Sequence, residues 1–106
     1  MCGIVGVYTK NRNIEYHKQF IKESLVDMKR RGPDSSKVWS NNRNFITGFN
    51  RLAIRDLSNK ADQPMISKCK KYILSFNGEI YNSNVFKKKL CDLGINFNTI
   101  SDSEVL

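Results

Sequence analysis

The chain has 106 residues, 40% hydrophobic and 26% charged. That is a soluble, globular composition, enough for one small domain with one core and at odds with a disordered or fibrous chain. Its formal charge of +8 is spread over three separate clusters, Lys29 to Arg31, Lys68 with Lys70 and Lys71, and Lys87 to Lys89; with no nucleic-acid-binding motif around them they read as solvated surface, so no nucleic-acid partner is expected.

The chain opens Met1-Cys2-Gly3-Ile4-Val5-Gly6-Val7-Tyr8. Ile4, Val5, Val7 and Tyr8 form an apolar, β-branched run that predicts a buried strand. The run is too short to span a membrane and no basic residues precede it. Neither a signal peptide nor a transmembrane helix is expected, nor a membrane partner, and the location predicted is cytoplasmic.

Removal of Met1 would leave Cys2 with a thiol and a free α-amino group on one residue. A thiol is mostly protonated at neutral pH, and an α-amine titrating at ~8 can take its proton. This is the logic of an N-terminal nucleophile. A cysteine at position two also arises by accident of composition, so this stretch alone leaves both readings open. Cys69 and Cys91 read as bystanders. Three cysteines without CxxC spacing and a single histidine indicate neither a disulfide framework nor a metal site.

A polar turn over Lys10 to Asn13 precedes Glu15 to Lys29, where Tyr16, Phe20, Ile21, Leu25 and Met28 predict an amphipathic helix. His17 sits at the border of its apolar stripe. Gly32 and Pro33 must end the helix. Strands are predicted over Val38 to Ser40 and Phe45 to Ile54, joined by the polar turn Asn41 to Asn44. Arg51 lies inside the second of these, where a charge is costly unless it meets an anion or points outward at an edge.

Tyr72 to Phe76 reads as another strand. The Asn77-Gly78 pair after it has two readings: a type I′ hairpin turn, or a pair of donors, the Asn77 amide and the Gly78 N–H, shaped as an oxyanion hole. From Ser83 to about Leu93 the pattern is helical, with Phe86, Leu90 and Leu93 on one face and Gly94 as the stop. Ser101-Asp102-Ser103-Glu104 has the form of a capping box before a further helix that the chain would only begin.

Together, in order, the opening Met-Cys-Gly-Ile-Val-Gly, Arg31-Gly32-Pro33-Asp34, Arg51 to Ser58, Gln63-Pro64-Met65, Phe76-Asn77-Gly78-Glu79-Ile80-Tyr81-Asn82 and Ser101 to Val105 resemble the glutamine amidotransferase domain of glutamine-hydrolysing asparagine synthetases. Many members carry His where this chain has Phe49. The resemblance implies an α+β fold, the four-layer αββα sandwich of N-terminal-nucleophile hydrolases, of which residues 1–106 would be the N-terminal part of a type 2 (class II) domain, with the synthetase domain lying outside them.

It also implies roles. Cys2 would attack the side-chain amide of glutamine, Asn77 and Gly78 would hold the oxyanion, and Arg51 would pair with the α-carboxylate. Glu79 and Asp102 would meet the α-ammonium group, with Leu52 and Ile54 completing the pocket; Arg31 to Asp34 would form a structural turn near the nucleophile. The substrate implied is glutamine, with no cofactor and no metal in this segment. ATP and Mg²⁺ would serve a synthetase domain, normally in the same chain, that amidates aspartate or another carboxylate; a homodimer is compatible with this reading. A non-catalytic remnant or interaction module of the same family is the alternative.

Overall fold

A computed structural model describes every residue of the chain except residue 12. Three strands, β1 (Gly3–Tyr8), β2 (Ser35–Ser40) and β3 (Phe45–Arg51), form an antiparallel sheet in the order β1-β3-β2. The register places Ile4 opposite Phe49 and Val5 opposite Gly48. Alternation along the strands then gives the sheet two faces. Gly3, Val5 and Val7 share one with Ile46, Gly48 and Asn50, while Ile4 and Tyr8 share the other with Phe45, Thr47 and Phe49.

Helix α1 (Lys18–Asp27) covers the first face. Ile21, fully buried, and Leu25 pack with Ile14 and Ile46, and Val5, Val7 and Met28 close around them. Each fully buried Ile or Leu contributes ~1.5–3 kcal/mol through apolar area removed from water. Gly48 lets the helix approach: a Cβ there would lie 2.9 Å from Leu25 Cδ1 and 3.0 Å from Ile21 Cγ2. The predicted helix from Glu15 begins as a 3₁₀ turn, Glu15–His17, and Tyr16 and Phe20 remain exposed. The buried stripe is therefore Ile21, Leu25 and Met28, at spacings of four and three. The predicted turn over Lys10 to Asn13 includes residue 12 and so lies partly outside the described residues.

β1 is not the buried strand predicted. Ile4 and Tyr8 are exposed, Tyr8 to 66%, because α1 covers only the opposite face. On their face Phe49 is only 1% exposed, and the segment Ala61 to Gln63, also buried, is tied to this side of the sheet by Asp62, which bonds to Ser35, Lys37 and Arg51.

β3 ends at Arg51 rather than Ile54 for a definite reason. Beyond Arg51 the backbone donors leave the ladder: Leu52 N–H reaches Cys2 Sγ at 3.4 Å and Ala53 N–H reaches Asp34 Oδ2 at 2.7 Å.

The second half is looser. β4 (Met65–Ile66) and β5 (Ile73–Leu74) form a two-residue ladder. The strand predicted to Phe76 stops at Leu74 because the Gln63 side chain takes both Phe76 backbone groups, accepting from its N–H and donating to its carbonyl at 3.2 Å. Helix α2 (Ser83–Asp92) stops at Gly94, which has φ of 84°. Its predicted apolar face is only partly covered: Leu90 is half-buried, but Phe86 and Leu93 are exposed, Leu93 to 77%, and Ser83 is the one buried residue of the helix.

A 3₁₀ turn, Asp102–Val105, follows. It is capped by Ser101 Oγ, which accepts from Ser103 N–H, while Glu104 turns to the Asn98 and Thr99 N–H groups instead of closing the predicted box. Among the described residues, the molecule is a small α+β unit with short sheets and two α-helices, and no helix is long and apolar enough to cross a membrane.

Candidate active site

Cys2 is half-buried at the start of β1, beside the point where β3 leaves the sheet. Its thiol meets both backbone groups of Leu52, accepting from the N–H at 3.4 Å and facing the carbonyl oxygen at 3.8 Å. Its own backbone N–H donates to Asn77 Oδ1 at 3.1 Å. The sulfur thus has a backbone acceptor and a backbone donor of one residue beside it.

The Arg31-Gly32-Pro33-Asp34 turn holds this corner. Arg31 Nε donates to the Cys2 carbonyl at 3.2 Å, and Asp34 accepts from Ala53 N–H while donating its own N–H to Arg51 O at 3.0 Å. Gly32 passes directly over β3. A Cβ there would lie 2.3 Å from the Asn50 carbonyl oxygen and 2.4 Å from its carbon, so no side chain fits.

A cleft of ≈ 330 Å³ opens beside the thiol. Its walls include Cys2, Arg51, Leu52, Ile54, Asn77, Gly78, Glu79 and Asp102, so every candidate site residue named from the sequence borders one space. Arg55, Asp56, Gln63 and Ser103 border it too, as does Met1. His17 is not among them; it stacks edge-on against Tyr16 at 5.4 Å.

Asn77-Gly78 is not a type I′ hairpin. Neither residue has positive φ, which that turn demands at both positions, and no strand follows to pair with β5. Because Asn77 Oδ1 is taken by Cys2, its Nδ2 is left as the donor beside Gly78. Asp102 Oδ2 accepts from Ile80 N–H at 2.8 Å, which fixes the chain just beyond Asn77 and Gly78.

The family model for the glutamine amidotransferase domain matches residues 1–106. The chain belongs to this family. It is 38% identical to asparagine synthetase (glutamine-hydrolysing) 1 of Bacillus subtilis, 35% identical to synthetase 3 of the same organism, and 36% identical to asparagine synthetase B (glutamine-hydrolysing) of Escherichia coli. Each match covers all of this chain but only 17% to 19% of the relative's length.

In this family member Arg51 is buried, with Asp56 and Asp62 buried nearby. The anion that its strand position called for is present in the protein: Arg51 Nη1 donates to Asp62 Oδ1 and to Ser58 O, both at 2.8 Å, and Nη2 donates to Asp56 O. Burial pushes the Asp62 carboxyl up, but hydrogen bonds from Arg51, Lys37 and Ser35 outweigh it and hold the group below its ordinary value. Asp56 is lowered to about 2, first by its hydrogen bonds with Ser58 and Ile100 and then by the Arg51 charge. Glu79 is also paired, with Arg55 Nη2 at 2.6 Å.

Arg55, Asp56 and Gln63 stood in the quoted motifs without a role, and Asp62 in none. Gln63 bridges Phe76 and Ser103 through its side chain, a contact that no periodicity signals. For Asp62, the one available signal was its charge on a segment that had to return to a buried arginine.

Proposed function

We propose that this chain supplies the glutamine-hydrolysing site of an asparagine-synthetase-like enzyme, with Cys2 as nucleophile after Met1 is removed. The observation that carries this reading is the position of Cys2: its thiol lies 3.4 Å from Leu52 N–H and its nitrogen 3.1 Å from Asn77 Oδ1, in a cleft bordered also by Arg51, Glu79 and Asp102. With Met1 gone, that nitrogen is an amine, held by Asn77 next to the sulfur and able to take its proton. The sulfur then adds to the side-chain amide carbon of glutamine. Asn77 Nδ2 and Gly78 N–H receive the oxyanion. Return of the proton from the amine to the leaving nitrogen releases ammonia and leaves a glutamyl thioester, which water cleaves to glutamate and free thiol.

Substrate zwitterion recognition falls to Arg51, whose Nε and remaining Nη2 hydrogen can meet the α-carboxylate, and to Glu79 and Asp102 for the α-ammonium group. Leu52 and Ile54 flank the carbon chain. The ammonia would amidate aspartate or another carboxylate in a synthetase region, where ATP and Mg²⁺ belong. Among the described residues no three His, Cys, Asp or Glu side chains are grouped to hold a metal ion.

The three-stranded sheet with α1 would form two layers of an αββα sandwich, a reading supported by the bare Ile4 and Tyr8 face. That same bare face favours a second reading, a non-catalytic module acting through contact.

Glutamate and ammonia release from glutamine, measured on chain whose loss of Met1 is verified by intact mass, separates the two. Cys2→Ala is expected to lower turnover by ~10³-fold or more. Turnover unchanged by Cys2→Ala would contradict the nucleophile, and no turnover in the parent chain would favour the contact module.

A further inference from the structure

Asp56 joins the two ends of the cleft. Its Oδ1 accepts from Ser58 N–H at 2.8 Å, bending residues 56 to 58 into a turn whose two carbonyls, Asp56 O and Ser58 O, both accept from the Arg51 guanidinium. Its Oδ2 accepts from Ile100 N–H at 2.9 Å, two residues before Asp102. Asp102 in turn accepts from Ile80 N–H, two residues after Gly78. One buried carboxylate thus ties the cation of the site to the segment carrying its acid.

We propose that Asp56 is a positioning residue that sets the separation between Arg51 and Asp102, and so selects ligands carrying both an α-carboxylate and an α-ammonium group, a proposal that rests on the glutamine reading above. An α-amino acid offers its two charges at one fixed spacing. Recognition of both together requires groups whose own spacing does not drift. Asn at position 56 cannot do this: its single carbonyl oxygen accepts from one of the two N–H groups, and its NH₂ faces the other as a second donor.

The test measures protection of Cys2 from iodoacetamide by three ligands, read by peptide mass mapping: glutamine, glutaramate, which lacks the α-ammonium group, and 4-aminobutanamide, which lacks the α-carboxylate. In the parent chain each truncation is expected to raise the half-protecting concentration ~10- to 100-fold. In Asp56→Asn the glutamine value should rise toward those of the truncated ligands, and the three should fall within ~3-fold of one another.

A role confined to stability gives a different pattern. A smaller folded fraction weakens all three ligands by the same factor and preserves the ratios. Ile100→Pro, which removes the N–H that Oδ2 accepts at an exposed position, should abolish discrimination against glutaramate and keep it against 4-aminobutanamide. Parental ratios in Asp56→Asn would overturn the proposal. Failure of glutamine to protect Cys2 in the parent chain would overturn the glutamine reading itself, and this proposal with it.

Discussion

Replacing Asp62 by Asn leaves the Arg51 guanidinium, only 7% exposed, without its carboxylate partner while Ser58 O and Asp56 O still hold it in place. Breaking a buried pair from one side costs ~3–5 kcal/mol because the remaining charge stays desolvated. Chemical denaturation of Asp62→Asn should show a loss of that order, and a change below ~1 kcal/mol would mean that Arg51 relaxes into water. Asp56 makes a separate prediction about pH. Its carboxyl is held at about 2 against an ordinary 3.8, so the folded state favours the ionised form. Its contribution is complete above 3.8 and disappears as the pH falls through about 2. Near-UV circular dichroism should therefore show an acid loosening across that window, shallower in Asp56→Asn. An identical acid profile in the variant would contradict the assignment.

Among the elements, the contact of α1 with the sheet and the crossing of Gly32 over β3 differ in what can yield. A methyl group at Gly48 meets the ends of Leu25 and Ile21, side chains that can shift, so Gly48→Ala should cost ~1–3 kcal/mol. A methyl at Gly32 meets the Asn50 carbonyl and Arg51 N, which are backbone atoms fixed in the ladder. Gly32→Ala should be the more damaging in thermal unfolding; the reverse order would mean that the turn, not the strand, gives way. The sequence made α1 legible because it buries a periodic apolar set on one face, and β1 and the start of β3 legible through their apolar, β-branched and aromatic runs. It did not reveal where β3 and β5 end. Those limits are set by Cys2, Asp34 and Gln63 side chains that accept from the backbone N–H groups of Leu52, Ala53 and Phe76, and side-chain-to-backbone bonds leave no periodic trace. Asn77-Gly78 was read as either turn or site. Its dipeptide is the same in both, and what rules out the hairpin, the φ angles and the missing partner strand, lies in the fold.

Across the molecule many apolar side chains remain exposed, among them Ile4 and Tyr8 on the sheet and Phe86, Leu93 and Ile95 in and after α2. Uncovered apolar surface of this kind drives association. Sedimentation of the purified chain should show concentration-dependent self-association, reduced by Tyr8→Lys and Leu93→Lys; a monodisperse monomer at all concentrations would mean that these patches are too small to matter. The shared cleft of the eight residues named from the ordered motifs was legible in the sequence. Their mutual wiring through Asp56 and Asp62 was not, because it depends on which loops return to Arg51.

Cys2, read as a nucleophile shaped for glutamine, has internal controls in the exposed thiols of Cys69 and Cys91. The most direct measurement is peptide mapping of the Met1-free chain after exposure to a diazoketone analogue of glutamine. Iodoacetamide should label all three cysteines, whereas the glutamine-shaped reagent should label Cys2 alone and be blocked by excess glutamine. Labelling of Cys69 and Cys91 as readily as Cys2, or labelling of Cys2 that glutamine does not slow, would contradict the account.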